Sequence, residues 1–198
     1  MSKRRNLINV LVGCFTCLLV VVFSAPAVQP TSALTTVEQY AQADLRQAKS
    51  VLMAQGAIES GMMRYIAILS KDNVVPTEPS TDAFGTAGAV LAGDMLVVRG
   101  DFRNLSSALR DYTVDPVDPP NPNITSGVHI HRGEPSANGP FQYALTVNLD
   151  DSGNKGRFSG EYRLTDEQVQ ALNNGMLYLD IHTTRNRAGE LRGVLAPY

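Results

Sequence analysis

Two segments restrict the fold more than anything else in the chain: Val128-His129-Ile130-His131 and Leu177-Tyr178-Leu179-Asp180-Ile181-His182. Each alternates aliphatic and polar residues one by one. Successive side chains of a strand point to opposite faces, so an extended strand sends all the aliphatics of such a segment one way. A helix would scatter them around its circumference. Val128 and Ile130 therefore face a core in the first segment, and Leu177, Leu179 and Ile181 face it in the second. His129 and His131, then Tyr178, Asp180 and His182, share the outer faces. The chain has 3 histidines, and these are all of them.

The rest of the sequence extends the strand pattern. Tyr65-Ile66-Ala67-Ile68-Leu69 is a short apolar run of strand type, and Asn73 to Gly88 is rich in Pro, Thr, Ser and Gly and reads as loop. Ala89-Val90-Leu91 and Met95-Leu96-Val97-Val98 suggest a hairpin turning at Ala92-Gly93-Asp94. Asp115 to Asn123 is a proline-rich extended connector leading into the first histidine segment, with Asp115 and Asp118 expected as solvated turn residues. Phe141, Tyr143, Leu145, Val147 and Leu149 alternate as one strand. Arg157 to Leu164 and Gly189 to Ala196 supply two more. Short strands at this spacing, with little helix between them, predict an antiparallel sandwich or barrel.

Two helices are expected. Thr35-x-x-Glu38 is a capping box, followed by Val37, Tyr40, Ala41, Leu45, Ala48, Val51 and Leu52 at helical spacing, which predicts an amphipathic helix over about residues 36–55. Its apolar stripe is expected to pack on the following domain. Binding to a partner or a membrane surface is the alternative, although the polar face is not rich in Lys and Arg. Thr165-x-x-Gln168 opens a short helix near residues 165–174, with Leu164 and Val169 as a hydrophobic staple and Gly175 as the C-terminal stop.

The N-terminus carries Lys3-Arg4-Arg5, an apolar run from Leu7 to Phe23 and the small residues Ala25-Pro26-Ala27. This is the pattern of an export signal. The run is also about long enough to span a bilayer as an uncleaved anchor. Either way, residues 1–27 are expected to send the remainder outward, to the periplasm or the exterior. Residues 28–62 then hold a linker and the helix, and residues 63–198 the β domain. The 2 cysteines, Cys14 and Cys17, lie inside the apolar run, so the folded part has no disulfide. A net charge of -2 offers no basic field for nucleic acid, and tryptophan is absent. The expected partner is an extracellular or periplasmic protein, with membrane contact only through residues 7–23 if they are uncleaved.

The histidines suggest a metal. Two of them at i and i+2 lie about 7 Å apart at Cα, close enough for both rings to reach one ion, and imidazole suits copper or zinc. His129, His131 and His182 are the candidate ligands, with Asp180 as an additional ligand or a hydrogen-bond acceptor behind them. Arg132, Glu134, Glu190 and Arg192 are expected at the rim. There Arg132, Arg185, Arg187 and Arg192 either favour anions or pair with Glu134 and Glu190. The alternative for the histidines is solvation, or hydrogen bonds to Glu134 and Glu190, with no metal bound.

Several ordered motifs resemble the chordin-type (CHRD) domain family over roughly residues 64–198: Ser126 to Gly133, Asn138 to Phe141, Leu164 to Val169, Ala171-Leu172, Gly175, Tyr178 to Thr183, Asn186 and Gly189 to Gly193. The resemblance implies an exported domain whose members include an extracellular growth-factor antagonist. A weaker likeness to copper-zinc superoxide dismutase implies a Greek-key antiparallel β-sandwich with a metal on its outer wall, and places His129, His131 and His182 as copper ligands. Phe141 stands where that family's bridging histidine follows Gly-Pro. The zinc site and the disulfide have no residues to form them, and the late arginine is offset by one position. Together these readings give a non-enzymatic all-β module binding copper or zinc. A metal-free structural or interaction module is the second reading, and a dismutase-like redox enzyme the third.

Overall fold

The computed structural model describes residues 35–198. The export or anchor segment expected at residues 1–27, the start of the linker and both cysteines lie outside the described residues. Among the described residues no helix is long and apolar enough to cross a membrane.

Two antiparallel sheets face one another. The strands are β1 (Met62–Leu69), β2 (Phe84–Ala92), β3 (Met95–Arg103), β4 (Val128–Arg132), β5 (Phe141–Ala144), β6 (Thr146–Leu149), β7 (Gly156–Arg163), β8 (Leu177–Ile181), β9 (Leu191–Val194) and β10 (Ala196–Pro197). The six-stranded sheet runs β10-β1-β2-β3-β7-β6, and the four-stranded sheet β5-β4-β8-β9. After β3 the chain crosses to β4. It returns to place β7 beside β3, then crosses again to place β8 beside β4, which are Greek-key connections. The all-β sandwich expected from the sequence is the architecture found.

The aliphatics of the two histidine segments form the floor of the core. Val128, Ile130, Leu177, Leu179 and Ile181 are fully buried against Tyr65, Ala67, Leu69, Ala89, Leu96, Val98 and Phe102 of the other sheet. Fully burying one such aliphatic stabilises by about 1.5–3 kcal/mol, so register and face are strongly specified.

The first helix, α1 (Thr36–Ala54), begins with both halves of the Thr35/Glu38 capping box in place. Its apolar stripe covers the outer face of the six-stranded sheet, where Leu45, Ala48 and Leu52 pack on Val90 and Val97. The helix sits close because Gly88 leaves room; a Cβ there would lie 2.0 Å from the Leu45 amide nitrogen. This explains why residues 84–88, expected as loop, are the first half of β2. Small residues read as loop in sequence, but here they are the strand surface that a helix needs in order to approach. At the same contact Asp44 is buried and accepts a hydrogen bond from Thr86 Oγ1 at 2.7 Å. Burial drives the Asp44 carboxyl up to about 7 despite that bond. Arg103 of β3 donates to Tyr40 Oη at 2.9 Å and lies over its ring, fastening the helix from the other side.

The second helix, α2 (Asp166–Asn173), also has a complete capping box, between Thr165 and Gln168, and Gly175 follows with φ 69°. A second expectation needs correction. The alternating run from Phe141 to Leu149 is two strands, not one. The chain changes sheets at Leu145, which is buried between them. The pairing of β4 with β5 also shifts, so that Ile130 faces Tyr143 and His131 faces Phe141. That bulge takes Phe141 off the face of Tyr143 and sets its ring edge-on to His129, 5.3 Å between centroids.

Candidate metal centre

In the register of β4 with β8, His129 lies opposite Asp180 and His131 opposite Tyr178. His182 follows β8 directly. The strand pattern thus brings the three imidazoles onto one wall, with ring centroids 4.9 Å (His129–His182), 5.7 Å (His129–His131) and 5.9 Å (His131–His182) apart. One ligand nitrogen from each lies within 4.8 Å of the others. Nitrogens bonded to one ion at about 2.0–2.1 Å in a plane are about 3.5 Å apart, so small side-chain rotations close the set.

The wall is the outer face of the sheet but it is not exposed. His129 is 2% and His182 7% accessible. The segment between β3 and β4 folds over the rings. It puts Tyr112 5.2 Å from His129 and edge-on to His182 at 6.4 Å, while Phe141 closes the other side. Arg110 lies over the Tyr112 ring at 4.4 Å and binds Asp115 at 2.9 Å; Asp115 also pairs with Arg187. Asp115, expected as a solvated turn residue, is therefore a clasp for the cover.

Each ring makes one hydrogen bond to a backbone carbonyl, and this fixes its tautomer. A carbonyl oxygen only accepts, so the ring nitrogen facing it carries the hydrogen. His129 Nε2 donates to Ser126 at 2.5 Å, His131 Nδ1 to Gly139 at 3.0 Å and His182 Nδ1 to Arg187 at 3.0 Å. The opposite nitrogen of each neutral ring, His129 Nδ1, His131 Nε2 and His182 Nε2, is left with a lone pair. His131 Nε2 and His182 Nε2 are buried with no hydrogen-bond partner. Burial, with the neighbouring His182, takes His129 down to about 3, and burial with the neighbouring His131 does the same to His182; burial also lowers His131. The rings are neutral at neutral pH, which is the form that binds metal.

The acidic and basic residues around the site are placed differently from the sequence expectation. Asp180 does not point a free oxygen at the rings. Its two oxygens take a bidentate pair from Arg192, Nε to Oδ1 and Nη2 to Oδ2, both 2.7 Å, and Oδ2 is 3.9 Å from His131 Nε2. Arg192 is not at a rim but buried. It also donates to Pro135 and Ala137 carbonyls and to Asn138, and lies 4.3 Å over the Tyr178 ring. Tyr178 in turn stacks on His131 at 5.4 Å. Glu190 is likewise fully buried. It accepts from Thr81, Thr183, Asn186 and both the amide and the hydroxyl of Ser106. Arg132 is half-buried and Glu134 exposed. No histidine bonds to Glu134 or Glu190, so that alternative is replaced by bonds to the backbone.

A family model described as the CHRD domain matches residues 65–195. The chain belongs to the CHRD-domain family. No curated protein and no solved structure matches it.

Within the CHRD domain the resemblance motifs acquire physical roles. In Gly189-Glu190-Leu191-Arg192-Gly193, Glu190 gathers three loops, Leu191 enters the core and Arg192 neutralises Asp180. A Cβ on Gly193 would lie 2.8 Å from the Ile68 carbonyl oxygen. Ser126-Gly127 and Asn138-Gly139 supply the carbonyls that orient His129 and His131. A side chain at Gly127 would meet the His182 carbonyl oxygen at 2.8 Å, and one at Gly139 the Arg132 carbonyl oxygen at 2.1 Å. No local pattern points to Tyr112, whose role depends on how a long segment folds back.

Proposed function

We propose that this CHRD domain is an exported binding module that holds one copper or zinc ion through His129 Nδ1, His131 Nε2 and His182 Nε2. The observation that carries the reading is the pair of buried imidazole nitrogens with no partner beside a third ring whose tautomer leaves its lone pair free. A buried polar atom without a partner costs about 1–3 kcal/mol, and an ion turns that cost into bonds. The pattern of Lys3-Arg4-Arg5, an apolar run and Ala25-Pro26-Ala27 supports export, with a periplasmic or extracellular protein as the partner to be sought.

Binding is favoured over turnover. The two guanidiniums whose charge acts on His182, Arg110 and Arg192, are both paired, so neither is free to draw an anion such as superoxide to the ion. A metal-free structural module is the second reading, favoured by the backbone bond that every ring already has.

Isothermal titration separates them. The protein is expected to take up one ion per chain, and the His129→Ala/His131→Ala/His182→Ala variant none. His131→Ala, which removes the most accessible ring, is expected to weaken binding by more than about 100-fold with the fold retained. Heats from the parent indistinguishable from those of the triple variant would leave the structural reading.

A further inference from the structure

We infer that the site, if it holds metal as proposed above, selects the cuprous ion over zinc and cupric ions. The inference rests on the charge and the number of the donors.

The donors bring no charge. All three are neutral imidazoles. The one carboxylate near them, Asp180, has both oxygens on Arg192, and that pair sums to zero. Glu190 is spent on neutral donors of three loops. The ion would therefore keep its full charge in a wall where two of the rings are almost inaccessible. The cost of burying an ion grows with the square of its charge, so a divalent ion pays about four times as much as a monovalent one.

The donors also stop at three. Among the described residues no other His, Cys, Asp or Glu joins the cluster. The rings of Tyr112, Phe141 and Tyr178 pack around the imidazoles. Zinc is almost always bound by four ligands, and cupric copper favours a tetragonal set. Cuprous copper shares zinc's filled d shell but carries half its charge, so three neutral nitrogens in a plane suffice to hold it. An aromatic cover that leaves little room for the fourth ligand a divalent ion needs costs the cuprous ion nothing.

The full chain carrying Cys14→Ser and Cys17→Ser, so that no thiol competes, is titrated anaerobically with copper(I) against bicinchoninate and with zinc(II) against a chromophoric chelator. One copper(I) per chain is expected, held at least about 100-fold tighter than zinc. X-ray absorption of the copper form is expected to show three nitrogen neighbours. Zinc bound as tightly as copper(I), or a four-coordinate copper, overturns the selectivity and leaves the metal site standing. Binding of neither ion removes the metal reading itself.

Discussion

Replacing Arg192 by alanine is expected to cost at least about 3–5 kcal/mol, because it strands the buried Asp180 carboxylate without its counter-charge. The two residues are cross-strand partners in β8 and β9, and both are almost inaccessible. The same change leaves the Pro135 and Ala137 carbonyls and the Asn138 side chain without their donor. A domain of this kind has about 5–15 kcal/mol in total, so a substantial unfolded fraction is expected. Urea denaturation followed by circular dichroism measures it. The double variant Asp180→Leu/Arg192→Met removes both charges together and is expected to recover the share of the loss due to the stranded carboxylate. A loss below about 1 kcal/mol for Arg192→Ala would mean that water reaches Asp180 and that the wall is not closed.

Glu190→Ala is expected to be nearly as damaging, by about 3–5 kcal/mol, since it abandons the Thr81, Ser106, Thr183 and Asn186 donors at once. The carboxylate joins the stretch before β2, the segment after β3 and the loop between β8 and β9. That last loop carries the Arg187 carbonyl that orients His182, so the loss is expected to loosen the metal site as well as the fold. Burial pushes the Glu190 carboxyl up, but the bonds from Thr81, Thr183, Ser106 and Asn186 outweigh it and hold the group below the ordinary carboxylate range. A depressed folded value means that the unfolded chain takes the proton first. This contribution is present above the ordinary glutamate value of about 4.3 and lost as the pH falls below it. Denaturation at pH 7 and pH 4 is expected to show a smaller gap between parent and Glu190→Gln at the lower pH. An equal gap at both would contradict the assignment.

What the sequence disclosed and what it withheld divide along physical lines. Alternation over four to six residues identified β4 and β8 and the side of each that carries the histidines, because one slip would bury polar atoms. The two capping boxes identified both helix starts, because their residues act within one turn. The change of sheet at Leu145 was hidden, since alternation continues through it. So was the bulge that turns Phe141 toward the histidines. Glu190 and Arg192 were expected at a rim because charged residues are usually exposed. Their burial depends on partners contributed by distant loops, and no local pattern reports those. The pairing of Asp115, expected as a solvated turn residue, and the place of Tyr112 were hidden for the same reason.

The central claim is that three imidazole lone pairs point at one another. Nitrogen-15 spectra of the metal-free protein at neutral pH test it most directly. The account expects hydrogen on Nε2 of His129 and on Nδ1 of His131 and His182, with only the opposite nitrogens shifting when one equivalent of metal is added. Any ring in the other tautomer, or rings protonated at neutral pH and unmoved by metal, would contradict it.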